Sequence, residues 1–478
     1  MAEGLNYFLL FLYGVLLLWA ISRAPRSADG SRDLISAYNV VLILFAIYVF
    51  LPAFIAIVLD NFQFVWARNF SGPTNTLVGL IASLYATAMF VVFHHFFRGH
   101  RNRVSAQLLS EQNFGTPQNS RVGVNPALMV LAAGLIMKIS FIFMIGGLEV
   151  AILRLSGGVR AAYDFQQLSS GMSFLLNLTF VADAAATWLV VTSLRARRGE
   201  LIFLGFFLLT LTLTYATTGK RVSVMLPLIV VAIAYTKYIR PIRISALPWV
   251  VVFILGVGMG SLFFRIFLPA SLGNIAIDLR AVHWAQGSTL SFYFRSLEFS
   301  GFELLTLSIS APERILQVLG GYWATLYKAN LEPFLYIVPR VLWSGKPTQF
   351  LDISHGVAIV VFGGGIGRNV FGIAPLLVGT SWIMGGILGL SGAFSGLGWL
   401  SAKFDLFIRR RQSPNTIEIL IYANMLVLVF EIFRQGTLGW IFLLALNTQF
   451  GFSIAFLCLE VLTRFKQGSA SGRMKVMN

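Results

Sequence analysis

The 478-residue chain reads as an all-α polytopic membrane protein. Three observations predict this. Hydrophobic residues make up 57% of the chain and charged residues only 12%, too few to cover a soluble protein of this size. Apolar runs of about 20 residues recur from end to end, the length that crosses a hydrocarbon core of about 30 Å. The basic residues collect in alternate segments between those runs, as the positive-inside rule requires.

The first run spans 6–22 and has no basic residue before it, while Arg23, Arg26 and Arg32 follow. That order is the reverse of a signal peptide and predicts a helix whose N-terminus faces outward. Further runs lie at 36–59, 74–96, 126–147, 173–193, 201–217, 222–238, 246–268, 372–399, 416–434 and 437–463, about eleven crossings in all. The inward set of connections carries Arg98, Arg101, Arg103 and Arg121, then Arg195, Arg197 and Arg198, then Lys237, Arg240 and Arg243. It continues with Lys403, Arg409, Arg410 and Arg411 and ends with Arg464, Lys466, Arg473 and Lys475, which puts the C-terminus inside. The net charge of +17 therefore follows the membrane and not a nucleic acid.

Residues 1–268 form an N-terminal bundle of about eight helices, 269–371 a large outward-facing segment, and 372–478 a C-terminal group of about three helices. A loop of that length is usually functional. Within it, "SISAPERILQVLGGYWATLYKAN" opens with a capping box from Ser310 to Glu313, with Pro312 in the first turn. Ile315, Leu316, Leu319, Trp323, Leu326 and Tyr327 then share one helical face. The pattern predicts one amphipathic helix, either a lid on the bundle or a wall of a lipid-tail groove.

Much chemistry is excluded. "TTGKRV" lacks the upstream glycine of a phosphate loop, and there is no Asp-x-Asp pair, no Gly-x-Ser-x-Gly elbow and no histidine set at ligand spacing. His94 and His95 end a span on the inner side and read as interfacial structural groups, with His100 among solvated arginines. The single cysteine, Cys458, lies in an apolar run and supports neither a disulfide framework nor a thiolate metal site. Two charges, Lys138 and Asp183, fall mid-span in consecutive runs, at a depth where an unpaired charge costs about 2.5–3.5 kcal/mol, and are expected to pair.

The outward side is cationic. Lys220 and Arg221 occupy a tight turn, Arg160 lies in the preceding outer loop, Arg265 near the end of a span, and Arg340, Lys346 and Arg368 in the large segment. One such cation can simply snorkel. Together, against the positive-inside bias, they suit a lipid phosphate or pyrophosphate, which arginine meets with a planar fork and lysine with a point charge. In "YIVPRVLWSGKP", Pro339 and Pro347 exclude a helix, and Tyr336 and Trp343 suit the headgroup level.

"PRVLWSGKP" resembles the Pro-Arg-x-x-Trp-x-x-Lys-Pro signature of the Wzy-type oligosaccharide repeat-unit polymerases, the O-antigen polymerase family. "TTGKRVSVMLPLI" resembles that family's Gly-(Ser/Lys)-Arg turn. "FGIAPLLVGTSWIMGGILGL" is similar to its Pro-x-x-x-Gly-x-x-(Tyr/Trp)-x-x-x-Gly helix. The likeness covers roughly the second half of the chain, and "FGGGIGRN" departs from it by its glycine content. It implies a GT-C-like glycosyltransferase of the bacterial inner membrane that joins undecaprenyl-pyrophosphate-linked glycans on the periplasmic face and releases undecaprenyl pyrophosphate. No metal and no cofactor is implied, and a chain-length regulator of the polysaccharide co-polymerase class is an expected partner beside the lipid bilayer. Arg221, Arg340 and Lys346 would stabilise the leaving pyrophosphate, helped by Lys220, Arg160, Arg265 and Arg368. Glu332 and His355, with Asp352 and Asp278, are candidate bases for the acceptor hydroxyl. An O-antigen ligase shares the donor and the outer loop. A lipid-linked-oligosaccharide flippase shares the spans, but it typically has repeated halves, and none is visible here.

Overall fold

The computed structural model describes residues 2–24, 34–58, 72–99, 124–144, 146–147, 170–197, 201–218, 222–240, 242, 301–335, 353–362, 375–409, 414–437, 441 and 449–476. All regular elements among them are helical. In order they are α1 (Ala2–Ser22), α2 (Ala37–Phe45), a π-turn (Ala46–Phe50), α3 (Leu51–Val58), α4 (Pro73–Gly99), α5 (Val124–Met144), α6 (Ser170–Arg195), α7 (Leu201–Thr218) and α8 (Val222–Tyr238). Then come α9 (Gly301–Ser310), α10 (Pro312–Val318), α11 (Tyr322–Asn330), α12 (Glu332–Leu335), α13 (Ile353–Phe362), α14 (Leu376–Arg409), α15 (Thr416–Gln435) and α16 (Phe450–Val476).

Seven of these stretches are long and apolar enough to cross a membrane, with α2, the π-turn and α3 acting as one span. Three more predicted spans coincide with the shorter apolar helices Leu201–Tyr215, Ser223–Tyr238 and Phe450–Thr463. The span at 246–268 lies outside the described residues. The outer surface of the bundle is apolar: Phe11, Met129 and Phe143 are each at least 70% exposed. Such a belt is unfavourable in water and welcome in lipid, so the chain is a multi-pass membrane protein.

Packing inside the bundle is close because small residues sit at the crossings. A Cβ on Gly134 of α5 would stand 2.6 Å from the backbone nitrogen of Ala182 on α6. One on Gly398 of α14 would stand 2.8 Å from the Phe90 carbonyl of α4. Only glycine admits backbones so near, and this is how helices associate where no hydrophobic drive separates them from lipid. Phe45 meets Phe433 at 4.8 Å and Phe394 at 5.4 Å between ring centroids, joining α2, α15 and α14.

Helix ends are well specified. Asn415 and Glu418 form both bonds of a capping box at the start of α15, and Gly436 ends it with φ 69°, a left-handed turn that glycine adopts without strain. Ser36 caps α2 through Asn39 N–H, and Asp405 of α14 adds a cap from another helix by accepting from Ala37 N at 2.7 Å. The basic helix ends meet on this side. Arg98 and Arg409 lie within electrostatic range of one another and of Asp405, Arg23 of His95, and Arg195 of Tyr238. Tyr238 donates to Pro414 O at 3.0 Å. Lys403 and Arg409 belong to α14 itself, which continues past the predicted end at 399.

Two expectations fail in the large segment. Ser310 caps nothing: it ends α9, its hydroxyl donates to Leu307 O at 3.0 Å, and Ala311 precedes α10 without a side-chain cap. The single amphipathic helix is two, because Gly320 and Gly321 take φ 94° and 97° and turn the chain. Ile315 and Leu319 are therefore buried, while Trp323 is 77% exposed and Thr325 and Ala329 face inward instead.

Candidate functional site

Most of the cations singled out in the sequence, Arg221, Arg340, Lys346, Lys220, Arg160, Arg265 and Arg368, lie outside the described residues, as do Asp278 and Asp352. Glu332 and His355 are described. Glu332 opens α12, and partial burial raises its carboxyl above the ordinary carboxylate range, against the pull of Lys328. Lys328 donates to Leu319 O at 2.9 Å and so ties α11 across the glycine turn. His355 is half-buried on α13, whose Ile353, Val357 and Ala358 join a small core with Ile315 of α10 and Leu319 at its end, Ala329 of α11, Leu304 and Leu307 of α9, and Ile383 of α14. His355 thus stands on a helix of this core, and Glu332 follows directly on another, with the core seated on the bundle through α9 and α14.

Two short helices enter the bundle here. Gly301 to Ser308 of α9 are all buried, packed between α4 and α14. The backbone of Gly301 reaches the Tyr48 carbonyl inside the π-turn, and Gly79 of α4 lies against Thr306 and Phe302. The π-turn falls midway along its span, so α9 begins near mid-depth.

The second short helix is the start of α14. Gly385 (φ −173°, ψ 17°) and Gly386 (φ 55°, ψ −133°) break the helical path. A Cβ on Gly389 would collide with the Ser381 carbonyl, so the half-helix 376–384 folds back against the beginning of 387–409. Eight residues apart in an unbroken helix, those backbones would be about 12 Å distant. The four fixed positions of the motif fall at working points of this half-helix. Pro375 precedes it, Gly379 would bring a Cβ to 3.0 Å from Ser308 Oγ, Trp382 is half-buried, and Gly386 supplies the positive-φ turn.

The half-helix and the end of α15 meet. Gly436 abuts Thr380 Oγ1 and lies within contact of the Leu376 carbonyl, and Leu376 itself holds a strained φ of 58°. The elements that meet here carry buried polar atoms without hydrogen-bond partners among the described residues: Thr380 Oγ1, Thr437 Oγ1 and Glu431 Oε1. Ser223 Oγ is another. Helices α8 and α15 run antiparallel with Tyr238 against Pro414 and Thr416 at one end. The same number of residues back along α8 and forward along α15 reaches Ser223 and Glu431, which stand at equal depth. Ser223 follows Arg221 by two residues in the sequence. Non-helical backbone and bare polar groups at membrane depth are tolerated only where protein buries them or a cavity receives them.

Three other buried carboxylates have close partners. Asp183 accepts from Lys138 Nζ at 2.7 Å and from Thr214 Oγ1 at 2.6 Å, and Lys138 also donates to Thr210 O at 3.1 Å and to Thr214 Oγ1. The expected mid-span pair is therefore present. Asp405 accepts from Ala37 N, Tyr38 N and Tyr422 Oη, with His94 Nε2 at 3.3 Å, so His94 is buried against Asp405 and not at the interface where the sequence put it. Glu460 accepts from Trp188 Nε1 at 3.0 Å. Glu431 is 1% exposed, yet what its carboxylate receives is a long bond from Gln435 Nε2 at 3.4 Å.

Glu431 is legible as an acidic residue inside the apolar run "LVLVFEIFRQG", the signal by which an intramembrane ionisable group announces a site. The junction offers a carboxylate acceptor, hydroxyls and a break in the backbone beside them, an arrangement suited to hydroxyl-rich ligands. No protein-family model matches the chain, and no curated protein or solved structure is significantly similar to it.

Proposed function

We propose that the chain is a glycan polymerase that joins undecaprenyl-pyrophosphate-linked repeat units at the periplasmic face of a bacterial inner membrane. The chain crosses the membrane about eleven times, N-terminus out and C-terminus in, with a GT-C-like arrangement of spans around a large outer segment. The acceptor hydroxyl attacks the anomeric carbon of the growing chain, and undecaprenyl pyrophosphate leaves. Arg221, Arg340 and Lys346 stabilise the charge that develops on the leaving group, with Lys220, Arg160, Arg265 and Arg368 binding the pyrophosphate.

The observation that carries this reading is the fit between the Pro375–Gly379–Trp382–Gly386 motif and the broken helix. Its two glycines stand at the contact with Ser308 and at the positive-φ turn, the places where the broken helix needs a residue without a side chain. The orientation is supported by the basic helix ends, which meet at the pole of the bundle opposite the polar junction.

Purified protein in vesicles, given the lipid-linked repeat unit that accumulates in cells lacking it, should lengthen glycans without a partner protein. Transfer only to a lipid A core acceptor would make it a ligase instead. Movement of the lipid-linked unit between leaflets without lengthening would make it a flippase.

A further inference from the structure

We infer that Glu431 is the group that takes the proton of the acceptor hydroxyl, an inference that rests on the polymerase reading. Among the described residues five carboxylates are buried, and four of them, all but Glu303 of α9, can be compared side chain by side chain. Asp183, Asp405 and Glu460 are met by a cation, by backbone N–H groups or by an indole N–H. Glu431 keeps one oxygen without a donor among the described residues, and its other oxygen has a single long bond. It also stands in the last turn and a half of α15, where the carbonyl end of the helix dipole disfavours a negative charge. Arg434, three residues on, lies within electrostatic range of it, and capping does not require an acid there, since Gly436 ends the helix by itself.

Its surroundings match an acceptor sugar. Thr380, Thr437 and Ser223 bring hydroxyls with no partner among the described residues to the same end of the bundle, and hydroxyls both donate to and accept from a polyol. The half-helix 376–384 covers this end through Thr380 and Leu376, and the turn at Gly385–Gly386 is where it can swing. Gly385 and the adjacent Ile387 and Leu388 are exposed, whereas Leu376, Leu377, Val378 and Ile383 are buried, so a swing of the half-helix must unpack them.

In the step itself, Glu431 Oε1 accepts the hydroxyl proton as the acceptor oxygen forms its bond to the anomeric carbon. The bond from that carbon to the pyrophosphate oxygen breaks, and undecaprenyl pyrophosphate departs with the electron pair. The carboxylic acid then returns its proton to water or to the pyrophosphate. No oxidant or co-reactant is needed.

The test uses the full chain in vesicles with the lipid-linked repeat unit from cells lacking the protein. Glu431→Gln keeps the shape and the Gln435 contact but cannot hold the proton. It should be recovered as monodisperse protein, bind the donor as the wild type does, and lengthen glycans about 10²–10⁴-fold more slowly. A wild-type rate in Glu431→Gln overturns the inference and leaves the polymerase reading standing. If Glu431→Gln is not recovered, Glu431→Asp carries the test: drawing the oxygen back by one methylene should slow lengthening at least about tenfold, and an unchanged rate overturns the inference. A wild-type protein that never lengthens glycans removes the polymerase reading, and the inference falls with it.

Discussion

Replacing Lys138 by Met and Asp183 by Asn, singly and together, isolates the mid-membrane ion pair. Both side chains are fully buried, 2.7 Å apart between Nζ and Oδ1. Removing one partner leaves the other charge in a low-dielectric interior, and such losses run to about 3–5 kcal/mol. Lys138→Met strands Asp183 with the Thr214 and Thr210 hydroxyls as donors, and Asp183→Asn strands the ammonium with Thr210 O and Thr214 Oγ1 as acceptors. The double variant has no charge to strand, and the amide that replaces the carboxylate can still accept from Thr214. Its cost falls to the loss of ordinary hydrogen bonds, about 1 kcal/mol each. Without coupling the double variant would lose the sum of the singles, about 6–10 kcal/mol, and would not fold. The assay is the folded fraction and thermal midpoint of detergent-purified protein, with membrane insertion scored beforehand. The double variant should be more stable than either single. A double variant at the sum of the singles, or three equal losses, would refute the pairing argument.

The remaining expectations follow from close contacts and charge. Gly134→Val drives a side chain into the backbone of Ala182, so α5 and α6 must part. A loss of about 1–3 kcal/mol in thermal unfolding is expected, while Gly205→Ala on the open face of α7 should lose nothing. Arg340→Lys and Arg340→Ala should insert normally and lengthen glycans about a hundredfold more slowly, because a point charge cannot replace a two-point fork. Gel profiles should then show single repeat units and few long chains; a wild-type ladder would leave Arg340 as a headgroup anchor. Lengthening should survive EDTA, since positive side chains are expected to supply the counter-charge. A loss restored specifically by magnesium or manganese would contradict that.

Hydropathy made the long helices legible because a bilayer imposes one length and one composition on every span. The Lys138–Asp183 pair was legible for a similar reason: consecutive spans put both at one depth, and lipid leaves a charge few alternatives. The short elements were not legible. Capping boxes are local patterns, and at Ser310 the preceding helix claimed the hydroxyl first. The run through Trp323 is a continuous pattern in sequence, but two glycines with positive φ rotate its second half away. The break at Gly385–Gly386 was hidden inside a run that is apolar on both sides of it. Of the candidate site, the sequence named the motif that builds the half-helix, and passed over Glu431, whose importance lies in what its neighbours fail to supply.

The burial of α9 has a consequence for how the protein is made. Ten residues of helix extend roughly 15 Å, half of what a translocon needs to stop transfer. In the proposed topology the segment is therefore exported during synthesis and waits on the far side of the bilayer. Its place between α4 and α14 is complete only after α14, the later of the two in the chain, has been laid down, so docking Gly301 onto the Tyr48 carbonyl is a late assembly step. In a Leu304→Cys variant, a thiol reagent applied from outside should mark the new thiol in nascent chains and spare it in the finished protein. The same position then reports one sidedness at birth and none at maturity.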